Sequence, residues 1–110
     1  MSRSPTRFGR ISAPNEAWLV RQPVEPILDP DLPIVDTHHH LWDRPDHRYL
    51  LHELLADLRT GHNVVATVFV ECHAMYRADG PAEMRPVGET EFVTGIAAMS
   101  ASGLYGSTRV

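Results

Sequence analysis

The sequence predicts a mixed α/β domain built on a parallel sheet and preceded by a proline-rich arm. Three observations carry that expectation. From residue 33 onward the apolar pattern runs strand, helix, strand, helix, an order that makes parallel strands with helical crossovers. Six of the nine prolines fall within residues 1–33, a density that regular helix or sheet does not sustain. Asp36, His38 and His40 stand at alternate positions at the end of the first apolar run, the end at which parallel α/β folds place their chemistry.

Each element follows from local pattern. Residues 1–32 form the arm. Within it Trp18, Leu19 and Val20 are an anchor for a larger body, or else the arm is a disordered tail; the residues favour neither. The α/β part covers 33–110. Pro33 to His40 is the first strand, ended by the polar turn Asp43-Arg44-Pro45-Asp46. A helix follows from Arg48 to Thr60, where Leu50, Leu51, Leu54, Leu55 and Leu58 make one apolar stripe. Asp46 is its expected N-cap and Gly61 its stop. Val64 to Val70 is a nearly unbroken apolar, β-branched run and reads as a strand buried on both faces. The loop Ala74 to Val87 turns at Asp79-Gly80-Pro81. A second helix runs from Glu89 to Ser102, burying Phe92, Val93, Ile96, Met99 and Ser100, and Gly103 ends it.

Composition narrows the function. A chain of 110 residues suits one domain at most. The apolar fraction of 43% and charged fraction of 22% are those of a globular protein. A net charge of -4 with no basic run argues against nucleic acid as a partner. All ten basic residues are Arg, so Schiff-base chemistry and a carboxylated lysine between two metals are both excluded. Cys72 is the only cysteine, which rules out an intramolecular disulfide and suits a reducing compartment. Arg3, Arg7 and Arg10 have no apolar segment behind them, so no secretory signal is expected. No apolar run approaches the ~20 residues that span a bilayer. The expected setting is cytoplasmic, with no membrane partner.

The chemistry concentrates in Asp36-Thr37-His38-His39-His40. Strand alternation sends Asp36, His38 and His40 to one face and His39 to the other. Two imidazoles two residues apart on a strand can grip one divalent ion. With seven histidines in the chain the pair alone is a weak signal; the Asp two places earlier and the apolar lead-in sharpen it. The alternative is a His-rich surface turn. Asp36 is expected to orient a histidine or the strand backbone. Glu71 and His73 share a face at the end of the second strand, on the same rim as the histidines. Both are candidate substrate contacts, Glu71 alternatively a solvated carboxylate and His73 alternatively a third ligand or a plain loop histidine. Trp42 and Asp43 either shape the pocket mouth or pack. Cys72 points toward the helices as an inert thiol. His47, His52 and His62 receive no role.

Ile34-Val35-Asp36-Thr37-His38-His39-His40-Leu41-Trp42-Asp43 resembles the first-strand motif of the amidohydrolase superfamily. The nearest branch is the amidohydrolase-related group of metal-dependent hydrolases, and Thr67-Val68-Phe69-Val70-Glu71-Cys72-His73 is similar to its second strand. The likeness runs from about residue 33 to 110. It implies the first two βα units of a (β/α)8 TIM barrel, incomplete, with His38 and His40 as the first two ligands of a divalent metal ion, zinc foremost. It implies a small-molecule substrate, a lactone or similar carbonyl compound, attacked by a metal-activated water. The family's further ligands lie on later strands that this chain does not contain. No catalytic residue is therefore assigned, and the chain is expected to be the N-terminal part of a longer enzyme, inactive alone. The alternatives are a decarboxylase on the same scaffold and a non-catalytic metal-binding or interaction module. An open sheet edge predicts self-association.

Overall fold

A computed structural model describes residues 13–110; residues 1–12 of the expected arm lie outside the described residues. The arm contributes one helical turn, α1 (Glu16–Leu19), whose Asn15 side chain accepts the Trp18 N–H at 3.0 Å. The chain is then irregular and mostly exposed as far as residue 32. The expected anchor is not seated in the core, since Trp18 and Val20 are 51% and 79% exposed. Prolines 23, 26 and 30 keep the arm from growing a helix long enough to present an apolar face.

The α/β part follows the expected order with one insertion. Strand β1 (Pro33–His39) leads into a hairpin of β2 (Trp42–Arg44) and β3 (His47–Tyr49), then helix α2 (Leu51–Leu58), strand β4 (Asn63–Phe69) and helix α3 (Val87–Ala101). β1 and β4 pair in parallel, as the strand–helix–strand pattern requires. Arg109 makes a parallel bridge to Ala66 on the other side of β4. The described residues thus form a mixed α/β unit of two small two-stranded sheets and three helices, with no closed barrel.

The hairpin overturns the expected helix start at Arg48 and its Asp46 cap. Trp42 pairs with Tyr49 and Arg44 with His47 around the Pro45-Asp46 turn, so aromatic and β-favouring side chains meet across the strands. The helix begins after them, with Leu50 at its N-cap position. Leu50 offers no capping oxygen, and Glu53 supplies one instead by accepting the Leu50 N–H at 2.9 Å. Arg48 donates to the same carboxylate at 2.8 Å.

The leucine stripe does what its spacing implies. Leu51, Leu54 and Leu55 join Leu41 and Ile96 in the buried core, with Leu58, Phe69, Phe92 and Met99 packed at its edge. Each fully buried leucine stabilises the fold by about 1.5–3 kcal/mol. The expectation that the second strand is buried on both faces does not hold, because Val65 and Val68 are 38% and 48% exposed. Val35 on β1 is likewise 53% exposed. Two parallel strands with helices over one face leave the other face open.

Candidate metal centre

β1 carries His38 and ends at His39, so His40 lies just past the strand end and the pair does not form by strict alternation. From Asp36 to His39 β1 advances three positions while β4 advances two, from Thr67 to Phe69. Such an irregularity re-aims the side chains around it. Asp36 Oδ1 accepts the His38 N–H at 3.1 Å, so its bond is with the strand backbone. His38 and His40 nevertheless converge: their Nε2 atoms lie 3.2 Å apart, with the rings nearly perpendicular.

The tautomers follow from the partners. His40 Nδ1 lies 2.8 Å from the Val70 carbonyl oxygen, which only accepts, so Nδ1 carries the proton. Neutral His40 then has its lone pair on Nε2, facing His38, and His38 donates its Nε2–H to it. Two imidazole nitrogens on one tetrahedral zinc sit about 3.3 Å apart, given zinc–nitrogen bonds of about 2.0–2.1 Å. The observed pair already has that spacing. A backbone carbonyl holding Nδ1–H is also the usual way a ligand histidine is oriented. A divalent ion held by both Nε2 atoms would require the His38 proton to sit on Nδ1 instead.

His39 is buried while His38 is exposed, but the irregular register sets His39 beside Thr67, the partner of Asp36, so Asp36 and His39 are not on the opposite faces that alternation predicts. His39 is 7% exposed, its Nε2 meets Thr67 Oγ1 at 3.0 Å, and its ring packs edge-on to Phe69. Burial pushes its pKa down, against a smaller opposing pull from Asp36. Among the described residues its buried Nδ1 has no hydrogen-bond partner.

An aromatic wall stands beside the pair. The Trp42 ring stacks on His40 with centroids 6.1 Å apart, its Nε1–H donates to His47 Nδ1 at 3.2 Å, and the Arg44 guanidinium lies over its face at 5.6 Å. His47, given no role from sequence, thus fixes Trp42. Both histidines of the pair and Trp42 line an open cavity of about 1760 Å³ between α1, β1, the hairpin and α2. Glu16, Asp36, Asp46, Glu53 and Asp57 line it together with Arg48, which pairs with Glu53, so its lining is acidic on balance.

Glu71 and His73 are not brought to that cavity. β4 ends at Phe69, and His73 adopts φ 64°, so the two do not share a strand face. Glu71 is exposed, and His73 stacks on Tyr76 with centroids 5.1 Å apart.

Sequence reasoning missed Glu89. It is 5% exposed in the first turn of α3, and its Oε2 accepts the N–H groups of Cys72 (3.0 Å) and Ala74 (2.6 Å). Cys72 Sγ in turn donates to the Leu41 carbonyl at 3.4 Å, and Val70 N–H donates to the His39 carbonyl at 2.8 Å. Glu89 thereby clasps the segment whose Val70 carbonyl orients His40. Burial, and then Glu89, push the Cys72 thiol pKa up, which makes it a poor nucleophile. An acidic residue just inside a helix start was the one signal available in the sequence.

Among the described residues no group of three or more His, Cys, Asp or Glu side chains is placed to hold a metal. No helix there is long and apolar enough to cross a membrane. No protein-family model, curated protein or solved structure matches the chain.

Proposed function

We propose that His38 and His40 bind a divalent metal ion, zinc foremost, as the first two ligands of an amidohydrolase-type centre. In this reading β1–α2–β4–α3 are the first two βα units of a (β/α)8 barrel enzyme acting on a lactone or similar carbonyl compound. The observation that carries it is the Nε2 pair at 3.2 Å with His40 locked by the Val70 carbonyl. The parallel order of β1 and β4 supports the scaffold, and the Asp-x-His-x-His motif supports the family.

A bound divalent ion supplies Lewis acidity toward a carbonyl oxygen and a nucleophile at neutral pH. The chain's own residues do the rest of what is visible here. Val70 fixes the His40 tautomer, Asp36 stiffens the His38 backbone, and Trp42 shields one side of His40 from water. The acidic cavity lining favours entry of a cation.

Equilibrium dialysis against zinc chloride tests the site. The chain is expected to retain zinc and both His38→Ala and His40→Ala to lose it; a wild-type chain that retains none refutes the reading. Lactone hydrolysis, assayed on the longest product of the reading frame containing these residues, tests the activity. Release of carbon dioxide from a carboxylic acid substrate in place of hydrolysis would move the assignment to a decarboxylase.

A further inference from the structure

We infer that His47 is a proton-operated latch on Trp42, the residue that covers one side of His40. The latch itself is independent of the metal reading. Its consequence, control over the cover of the histidine pair, rests on that reading.

The hydrogen bond between the two rings fixes one protonation state. Trp42 Nε1–H donates to His47 Nδ1 at 3.2 Å. An indole nitrogen donates and does not accept, so His47 Nδ1 offers a lone pair. The imidazole is then neutral, with its proton on Nε2. A second proton can enter only at Nδ1, where it faces the indole N–H and ends the bond. Histidine is the side chain suited to such a change between pH 5 and 8.

The position of His47 adds to the effect. β2 and β3 are three residues each, and Arg44 stands directly opposite His47 at the turn end of the hairpin. Protonation makes that pair like-charged, which is destabilising across two strands. Asp46 and Arg48 flank His47 in the chain. Across the cavity stand Glu16 of α1, Asp36 of β1, and Glu53 and Asp57 of α2. Arg48 is paired with Glu53, and the Tyr49 hydroxyl beside His47 donates to Asp57. Among the described residues no carboxylate is bonded to the His47 ring, so none holds the imidazolium in place of the lost bond. Trp42 then keeps only its contacts with His40, Tyr49 and the Arg44 guanidinium, none of which fixes the direction of its N–H. The indole loosens and the cover of His40 loosens with it. His38, His39, His40 and His62 line the same cavity, and the test separates His47 from them.

Water-exchange NMR of the full chain carrying Trp18→Phe, which leaves Trp42 as the one indole, reads the latch without metal. Exchange of the indole N–H is measured at pH 5 and pH 7.5, each time relative to the same chain in urea at the same pH. Protection should be about 5-fold lower at pH 5, the effect of one ordinary hydrogen bond. The indole N–H shift and the His47 ring protons should follow one midpoint. In His47→Asn, which has no ring to protonate, protection should be the same at both pH values; circular dichroism at each pH establishes that the variant is folded, and if it is not, the shared midpoint in the parent chain decides. Equal protection at both pH values in the parent chain overturns the latch. So does a pH dependence that survives in folded His47→Asn, or an indole shift that follows the midpoint of His40 instead. Failure to bind zinc leaves these readings untouched, and a flat indole profile in a chain that binds zinc overturns the latch alone.

Discussion

Removal of the Glu89 carboxylate is the most direct test of how the fold supports its histidine pair. In Glu89→Ala the N–H groups of Cys72 and Ala74 lose the acceptor they have among the described residues. The Ala74 N–H bond is buried, so leaving it unpaired costs about 1–3 kcal/mol; that of Cys72 is partly buried and costs about half as much. The sum is about 3 kcal/mol, which corresponds to an increase of roughly 100-fold in local opening. Amide hydrogen exchange of Cys72 and Ala74 reads this at the site of the change. In Glu89→Gln a single oxygen can still accept both bonds, as Oε2 does now, so about 1 kcal/mol is expected, from the lost charge assistance. The effect should reach the histidines, because Val70 lies two residues before Cys72 and its carbonyl sets the His40 ring. Loss of an orienting partner weakens metal affinity about 10–100-fold, and Glu89→Ala should fall at the lower end because it acts through the backbone. Unchanged protection of Cys72 and Ala74 in Glu89→Ala would refute the clasp outright. Increased exchange with unchanged zinc affinity would show that the clasp does not extend to His40.

Three further outcomes are expected. Gly88→Ala should destabilise by about 1–3 kcal/mol, since a Cβ there falls on the Met75 carbonyl and within 2.7 Å of Arg77 N, whereas Gly95→Ala, in open space on the same helix, should stabilise by about 0.5–1 kcal/mol; urea denaturation of both variants separates packing from propensity. The Leu50 N–H first, and Arg48 second, hold the Glu53 pKa below the ordinary carboxylate range, so its contribution is present above about pH 4.3 and fades as pH falls through the lowered value. Glu53→Gln should therefore cost about 0.5 kcal/mol at pH 7 and less at pH 3, and an equal cost at both pH values would sink this account. Cys72, its pKa raised by burial, should react with iodoacetamide at pH 7.5 about 10-fold more slowly in the native chain than in urea.

The parts of the fold legible in the sequence are those set by local periodicity. Leu51, Leu54 and Leu55 announce their helix, the β-branched run announces β4, and Ile96 and Ser100 announce the buried side of α3, because each signal lies within a single element. The hairpin was not legible as such. Its strands are three residues each, too short for alternation to show, and Leu50 extends the leucine stripe one residue ahead of the helix itself. The Pro45-Asp46 pair between Trp42 and Tyr49 was the available clue. Exposure of Val65 and Val68 was hidden for another reason: an apolar run reports what a strand is suited to, and not how many neighbours it has.

The site shows the same division more sharply. Alternation alone predicts that His38 and His40 share a face, and they do meet, yet β1 departs from regular register between Asp36 and His39, across His38 itself, and His40 lies past its end. The convergence must then be held by something besides the pleat. The Val70 carbonyl is that hold on His40, and the Asp36 carboxylate, bonded to the His38 N–H, steadies the irregular stretch that carries the other ring. One of these is a backbone atom 30 positions away, and backbone atoms leave no mark in a sequence. A motif names the residues able to bind a metal. Whether their lone pairs meet at zinc spacing depends on the neighbouring strand, and the His-x-His pattern becomes a chemical argument only once that strand is in place.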